Sequence, residues 1–214
     1  ATLSVSNLQI PVPEWQSALL ARHRLGTDYL DSAREWFNPM AQGIASHQIG
    51  AGRPILVGIN GSQGSGKTTM ADYLCCALEA EHGLSCLSLS LDDVYLPHAE
   101  RQRLAAEVHP LLATRGVPGT HDIPLLLDTL KALLDIDAAV GTRIPSFDKA
   151  QDDRAPIADW RAVAVAPSVV LLEGWCLGAL PQRPESLQQP INALERDEDA
   201  DGRWRNYVND CLAR

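Results

Sequence analysis

The sequence predicts an α/β fold in which a mainly parallel sheet lies between layers of helix. Three observations predict it. An apolar run at residues 54–60 enters a glycine-rich turn that opens a helical pattern. Further apolar runs at 84–91 and 163–172 each end in acidic residues, and amphipathic helical patterns lie between the runs. The turn itself, Gly61-Ser62-Gln63-Gly64-Ser65-Gly66-Lys67-Thr68-Thr69, fits G-x-x-x-x-G-K-[ST] at Gly61, Gly66, Lys67 and Thr68. Strand before and helix after specify the three-layer architecture of the P-loop NTPases.

The spacing has a chemical reason. Small residues let consecutive backbone N–H groups face a phosphate chain, and the helix N-terminus adds its positive dipole end. Lys67 then reaches the outer phosphates, and the Thr68 hydroxyl takes a magnesium coordination position. A flexible Gly/Ser loop is the plainer alternative, but a chance match in a chain this size has a probability of about one in a hundred. The motif implies binding of a nucleoside triphosphate. It does not by itself separate a kinase from an ATPase or a GTPase.

In chain order, residues 14–49 read as helical, with apolar residues at three- and four-residue steps and Pro39 expected to break or kink the run. They form a helical cap, placed at 1–52, on a kinase-like domain at 53–214. After the turn, 68–82 is a helix with Met70, Tyr73, Leu74, Ala77 and Leu78 inward, closed by Gly83. The strand at 84–91 bears no charge on either face, which predicts a place in the middle of a covered sheet. It ends in Asp92-Asp93, where ligands of parallel sheets bind. For Asp93 a helix-cap role competes; for Asp92, directly at the strand end, chemistry is the stronger reading.

Residues 97–108 read as helix, interrupted by His109-Pro110. The loop Arg115-Gly116-Val117-Pro118-Gly119-Thr120-His121-Asp122 follows, with Asp122 placed to cap the next helix. His121 alone reads as a turn residue; beside Arg115 in a glycine-rich loop, a share in anion binding is equally in keeping. The cluster Asp148, Lys149, Asp152, Asp153 and Arg154 fits either a solvated linker or part of a site. The strand at 163–172 ends in Glu173, a position suited to magnesium. Residues 195–199, all charged, predict a solvated segment, and a last helix starts near Trp204.

Composition removes other classes. A net charge of −9 with only three lysines, Lys67, Lys131 and Lys149, leaves no basic face for nucleic acid. Two of those lysines fall in segments already singled out, so positive charge is expected to concentrate at an anion site. No apolar run reaches the roughly 20 residues needed to cross a bilayer, and no signal peptide is recognisable before Pro11. Five cysteines without C-x-x-C spacing predict reduced thiols and a cytoplasmic setting rather than metal or disulfide roles.

The order of the motifs is the P-loop, then Ser90-x-Asp92-Asp93-x-Tyr95, then Pro145-x-Phe147-Asp148 with Arg154, then Glu173-Gly174. It resembles the P-loop small-molecule kinases that include uridine kinase, pantothenate kinase and phosphoribulokinase. The wording of residues 91–96, 115–122, 145–149 and 172–175 is closest to the D-glycerate 3-kinase-like branch. The resemblance implies ATP and Mg²⁺ as cofactors and a small hydroxyl acceptor, glycerate-like, as substrate, with two more strands and an adenine-binding segment after Glu173. The chain is therefore expected to be a C-terminally incomplete version of the fold.

With strand-end position and resemblance together, residues 61–69 are expected to hold ATP phosphates, and Thr68 and Glu173 the metal. Asp92 is expected to take the proton of the acceptor hydroxyl. Arg115, His121, Lys149 and Arg154 are candidates for the acceptor carboxylate or the transferring phosphoryl, and Tyr95, Asp122 and Asp148 for acceptor hydroxyls. A sibling kinase for a nucleoside or pantothenate-like acceptor is the first alternative. A non-kinase ATPase or GTPase is disfavoured by the lack of an N-K-x-D signature.

Overall fold

A computed structural model describes residues 12–213 of the chain. What the sequence leads one to expect of residues 1–11 and of Arg214 lies outside the described residues.

The central strand is β5 (Val169–Gly174), flanked in parallel by β1 (Ile55–Asn60) and β2 (Cys86–Ser90), in the order β1-β5-β2. All six residues of β5 are buried. Its side chains alternate between two cores, as the two-residue period of a strand requires. Val169 and Leu171 face a layer built from α1 (Glu14–His23), α2 (Tyr29–Ala51) and α3 (Lys67–His82). Val170 and Leu172 face Leu126, Leu130 and Leu133 of α5 (Ile123–Leu134). Helices on both faces of a parallel sheet give the three-layer α/β fold that the sequence predicts.

Three expectations are corrected. The strand at 84–91 was expected in the middle of the sheet, but among the described residues β2 lies at an edge and β5 takes the centre. The absence of charge on β2 reflects cover on both faces: Leu87 and Leu89 pack in the α5 core, and Cys86 packs against the α3 side. The N-terminal helical stretch breaks at residues 24–28, where Arg24 takes a left-handed backbone, and not at Pro39. Pro39 removes one N–H, yet α2 continues because Leu30, Ala33, Ala41 and Ala45 bury its inner face. The charged run at 195–199 is no solvated tail. It lies in α6 (Ala193–Glu198) and its cap, with Glu195 and Asp199 buried. The Asp199 carboxylate accepts from Trp204 N, Arg205 N and Arg205 Nη1, which caps α7 (Arg203–Leu212) and pairs its charge.

Other local expectations hold. Gly83 ends α3 in a left-handed conformation, and Asp122 caps α5 by accepting from Leu125 N at 3.0 Å. α4 (His98–Glu107) is followed by a short 3-10 turn at Pro110–Ala113, where Leu111 N donates to His109 Nδ1. A small antiparallel hairpin, β3 (Phe147–Asp148) with β4 (Asp153–Arg154), projects its tip towards the carboxyl ends of β1, β5 and β2. None of the helices of the described residues is long and apolar enough to cross a membrane.

Candidate active site

The parallel register sets the site. Glu173 stands level with Ile59 and Ser90, so within two residues along each strand lie the glycine-rich loop, Gly174 and the turn bearing Asp92. Ligands of open parallel sheets bind at this edge. Gly174 makes the close approach possible: a Cβ there would stand 2.9 Å from Leu91 Cβ and 3.1 Å from Leu177 Cγ. Asp92 is the second residue of a 3-10 turn, Leu91–Val94, whose N-cap Ser90 accepts from Asp92 N.

The glycine-rich loop folds compactly. Gly64 and Gly66 have φ of 74° and 85°, a region favouring glycine, and Ser65 N donates to Ser62 O. Lys67 donates to Ser62 O at 2.9 Å, across the mouth of its own loop. The Thr68 hydroxyl donates to Glu173 Oε1 at 3.0 Å, although 105 residues separate the two. Gln63, Gly64, Lys67, Thr68, Asp92, Glu173, Gly174 and Trp175 together line one cavity of about 220 Å³. Phosphate loop, strand-end glutamate and strand-end aspartate therefore share a cleft. Its hydroxyl and carboxylate oxygens are the hard donors that Mg²⁺ selects, so Thr68 and Glu173 fit that ion.

Asp92 is held from two sides. Tyr95 donates its hydroxyl to Oδ1 at 3.0 Å, and Lys149, at the tip of the β3–β4 hairpin, donates to Oδ2 at 2.7 Å. Burial alone would raise the Asp92 carboxyl, but Lys149 and then Tyr95 hold it below the usual carboxylate value. It is ionised at neutral pH. Neighbouring Asp93 goes the other way: burial raises it, against a hydrogen bond from the Phe147 backbone.

The remaining expected residues are brought near but are largely committed to one another. Arg154 donates to Asp122 Oδ2 at 2.8 Å and to Tyr95 O at 3.1 Å. Arg115 pairs with Asp152 and lies over the Phe147 ring at 5.4 Å. Asp148 accepts from Ala150 N and Gln151 N, which shapes the hairpin turn. His121 stacks on Tyr95 at 4.5 Å and is only 6% exposed, with Nε2 buried and unpartnered. Burial pushes its pKa down to about 4, so at pH 7 it is neutral and offers a hydrogen bond rather than a charge. Thus Lys149, Arg115 and Arg154 each face a carboxylate, whereas Lys67 meets a backbone carbonyl.

Two organising residues escape sequence reasoning. Arg101 of α4 is completely buried and donates to Leu96 O, Ala113 O and Asp152 O, tying three loops under the site. One arginine in a polar helix gives no sign of this. Trp175 donates Nε1–H to Gly116 O at 2.8 Å, fixing the Arg115 loop to the end of β5. Its place directly after Glu173-Gly174 was the available signal.

No family model matches the chain. Individual proteins do. A Schizosaccharomyces pombe protein named uncharacterized kinase mug58 is 39% identical over 169 residues, covering 75% of this chain and 57% of its own length. The chloroplastic D-glycerate 3-kinase of Arabidopsis thaliana is 34% identical over 139 residues, 60% of this chain and 29% of its own. The solved structure of D-glycerate 3-kinase from Cryptococcus neoformans superposes with a TM-score of 0.59 at 30% identity, covering 81% of this chain and 67% of that one. The chain belongs to the P-loop small-molecule kinases of the uridine kinase and D-glycerate 3-kinase type. In this chain the Thr68–Glu173 contact joins the glycine-rich loop to the end of the central strand. The chain spans between 29% and 57% of the length of these two curated relatives.

Proposed function

We propose that the chain, with its kinase domain at 53–214 and a helical cap at 1–52, serves an ATP-dependent kinase. It transfers the γ-phosphoryl group to a hydroxyl of a small hydroxy acid, D-glycerate or a close analogue. The observation that supports this most is the shared cleft of Lys67, Thr68, Glu173 and an ionised Asp92. Phosphoryl transfer asks for positioning and charge neutralisation more than covalent chemistry. Backbone N–H groups of residues 61–69 hold the phosphates, and Lys67 turns from Ser62 O to the outer ones. Thr68 and Glu173 would hold Mg²⁺, which would supply charge neutralisation at the phosphates.

Asp92 accepts the proton of the attacking hydroxyl, a role worth about 10²- to 10⁴-fold in rate. Lys149 then exchanges its partner, from the Asp92 carboxylate to an anionic oxygen of acceptor or phosphoryl group. Asp92→Asn should leave ATP binding unchanged and lower kcat by about 10²-fold or more; turnover near the parent value would exclude Asp92 as base. Lys67→Ala should weaken ATP binding at least tenfold in titration calorimetry, and unchanged affinity would count against the phosphate-loop assignment.

A second reading has its own support. With His121 neutral and Arg115 and Arg154 each paired to an aspartate, few charges are left for an acceptor carboxylate. That favours an uncharged acceptor, such as a nucleoside. ATP consumption measured across small hydroxy acids and nucleosides separates the two.

A further inference from the structure

Two of the five free thiols meet in space. Cys75 lies on α3 and Cys86 opens β2, and their sulfurs share a hydrogen bond at 2.9 Å. That is about 0.9 Å beyond the length of a disulfide bond. Regular elements, not loops, hold both positions. Gly83 turns the chain out of α3 in a left-handed conformation, Leu84 N donates to Leu78 O at 3.0 Å, and Cys86 stands in register with Val169 of β5. Both cysteines pack against the core between α3 and the sheet, and both keep part of their surface exposed. Neither lines the reaction cleft.

We propose that Cys75 and Cys86 form a reversible modification site, at which a small-molecule disulfide of the glutathione class oxidises the pair to a Cys75–Cys86 bond. The reaction is two successive thiol–disulfide exchanges. The Cys75 thiolate attacks the oxidant, and one small thiolate leaves and takes up the proton that Cys75 lost. The Cys86 thiolate then attacks the sulfur of Cys75 in this mixed disulfide, and the second small thiolate leaves and takes up the Cys86 proton. Two protein thiols and one small disulfide become one protein disulfide and two small thiols. The order follows from the shared hydrogen bond, which together with burial pushes the Cys86 thiol up, so that Cys86 holds its proton longer. The new bond ties the helix that opens with Lys67 to the strand that leads into the Asp92 turn.

The test places the whole chain in glutathione buffers of rising disulfide-to-thiol ratio, quenches with an alkylating agent and maps the cysteines by tandem mass spectrometry. Wild type should lose two alkylatable thiols together, with Cys75 linked to Cys86. Cys76→Ser should keep that link, and Cys86→Ser should stop at a mixed disulfide on Cys75. Oxidised wild type should melt about 5–10 °C above the reduced form, because the bond closes a short loop of the unfolded chain. Reduction with dithiothreitol should return both the thiols and the lower midpoint. Thiols that stay alkylatable in the most oxidising buffer, or that end as mixed disulfides in wild type, would overturn the proposal. So would a link between other cysteines, or an oxidised form that melts no higher than the reduced one. The map of wild type decides the matter even where a variant folds poorly.

Discussion

At the scale of the residue, the site depends on how Asp92 is kept charged. Half-burial works against ionisation, and the Lys149 ammonium at 2.7 Å outweighs it. Lys149 itself is exposed on a hairpin tip, so it can be removed without opening a core. Lys149→Met should raise the Asp92 pKa, because the favourable partner of the charged form is gone while burial remains. As the proposed base, Asp92 must be ionised to act, so the acid limb of the pH profile of kcat/KM should move to higher pH. An unshifted limb would mean that another group limits the reaction at low pH. The Lys149–Asp92 pair could not be read from the chain, since 57 residues separate its members.

At the scale of the element, close approach at the carboxyl end of β5 brings the parts together. Gly174 is buried, and a methyl group there would press on the Leu91 and Leu177 side chains at about van der Waals limits or below. Gly174→Ala is expected to destabilise the fold by about 1–3 kcal/mol, the usual cost of overpacking. Because Leu91 directly precedes Asp92, the same change should lower kcat as well as the denaturation midpoint. A denaturant titration beside a kinetic assay checks both, and a fully active variant of normal stability would show that the neighbours yield freely. Elements with local signals, such as the αL glycine after α3 and the Asp122 cap of α5, were readable in advance. The break at residues 24–28 was not, because no strong helix breaker but Gly26 marks it and the inner face of α2 overrides Pro39.

At the scale of the molecule, burial of His121 couples stability to pH. The unfolded chain takes up its proton near pH 6.5 and the folded chain only near about 4. Between those values the unfolded state binds more protons, so stability falls as pH drops, by up to about 1.4 kcal/mol per pH unit for one proton. In urea titrations from pH 7 to 4, His121→Phe should show a shallower loss than wild type. Parallel pH curves for the two proteins would mean that His121 is charged in the fold.

By itself the sequence determined the phosphate loop, the parallel α/β class, the acidic strand ends and the family resemblance. These rest on local spacing, on backbone geometry that glycine permits, and on apolar periodicity. Only the tertiary structure decided which strand is central and which charges meet. Lys149 reaches Asp92 across the hairpin, Arg115 finds Asp152, Arg101 is buried under three loops, and Asp199 serves as the buried cap of α7. The physical reason is that a side chain's electrostatic role depends on what lies within a few ångströms in space, and hydrophobic patterning fixes faces of elements without fixing those distances.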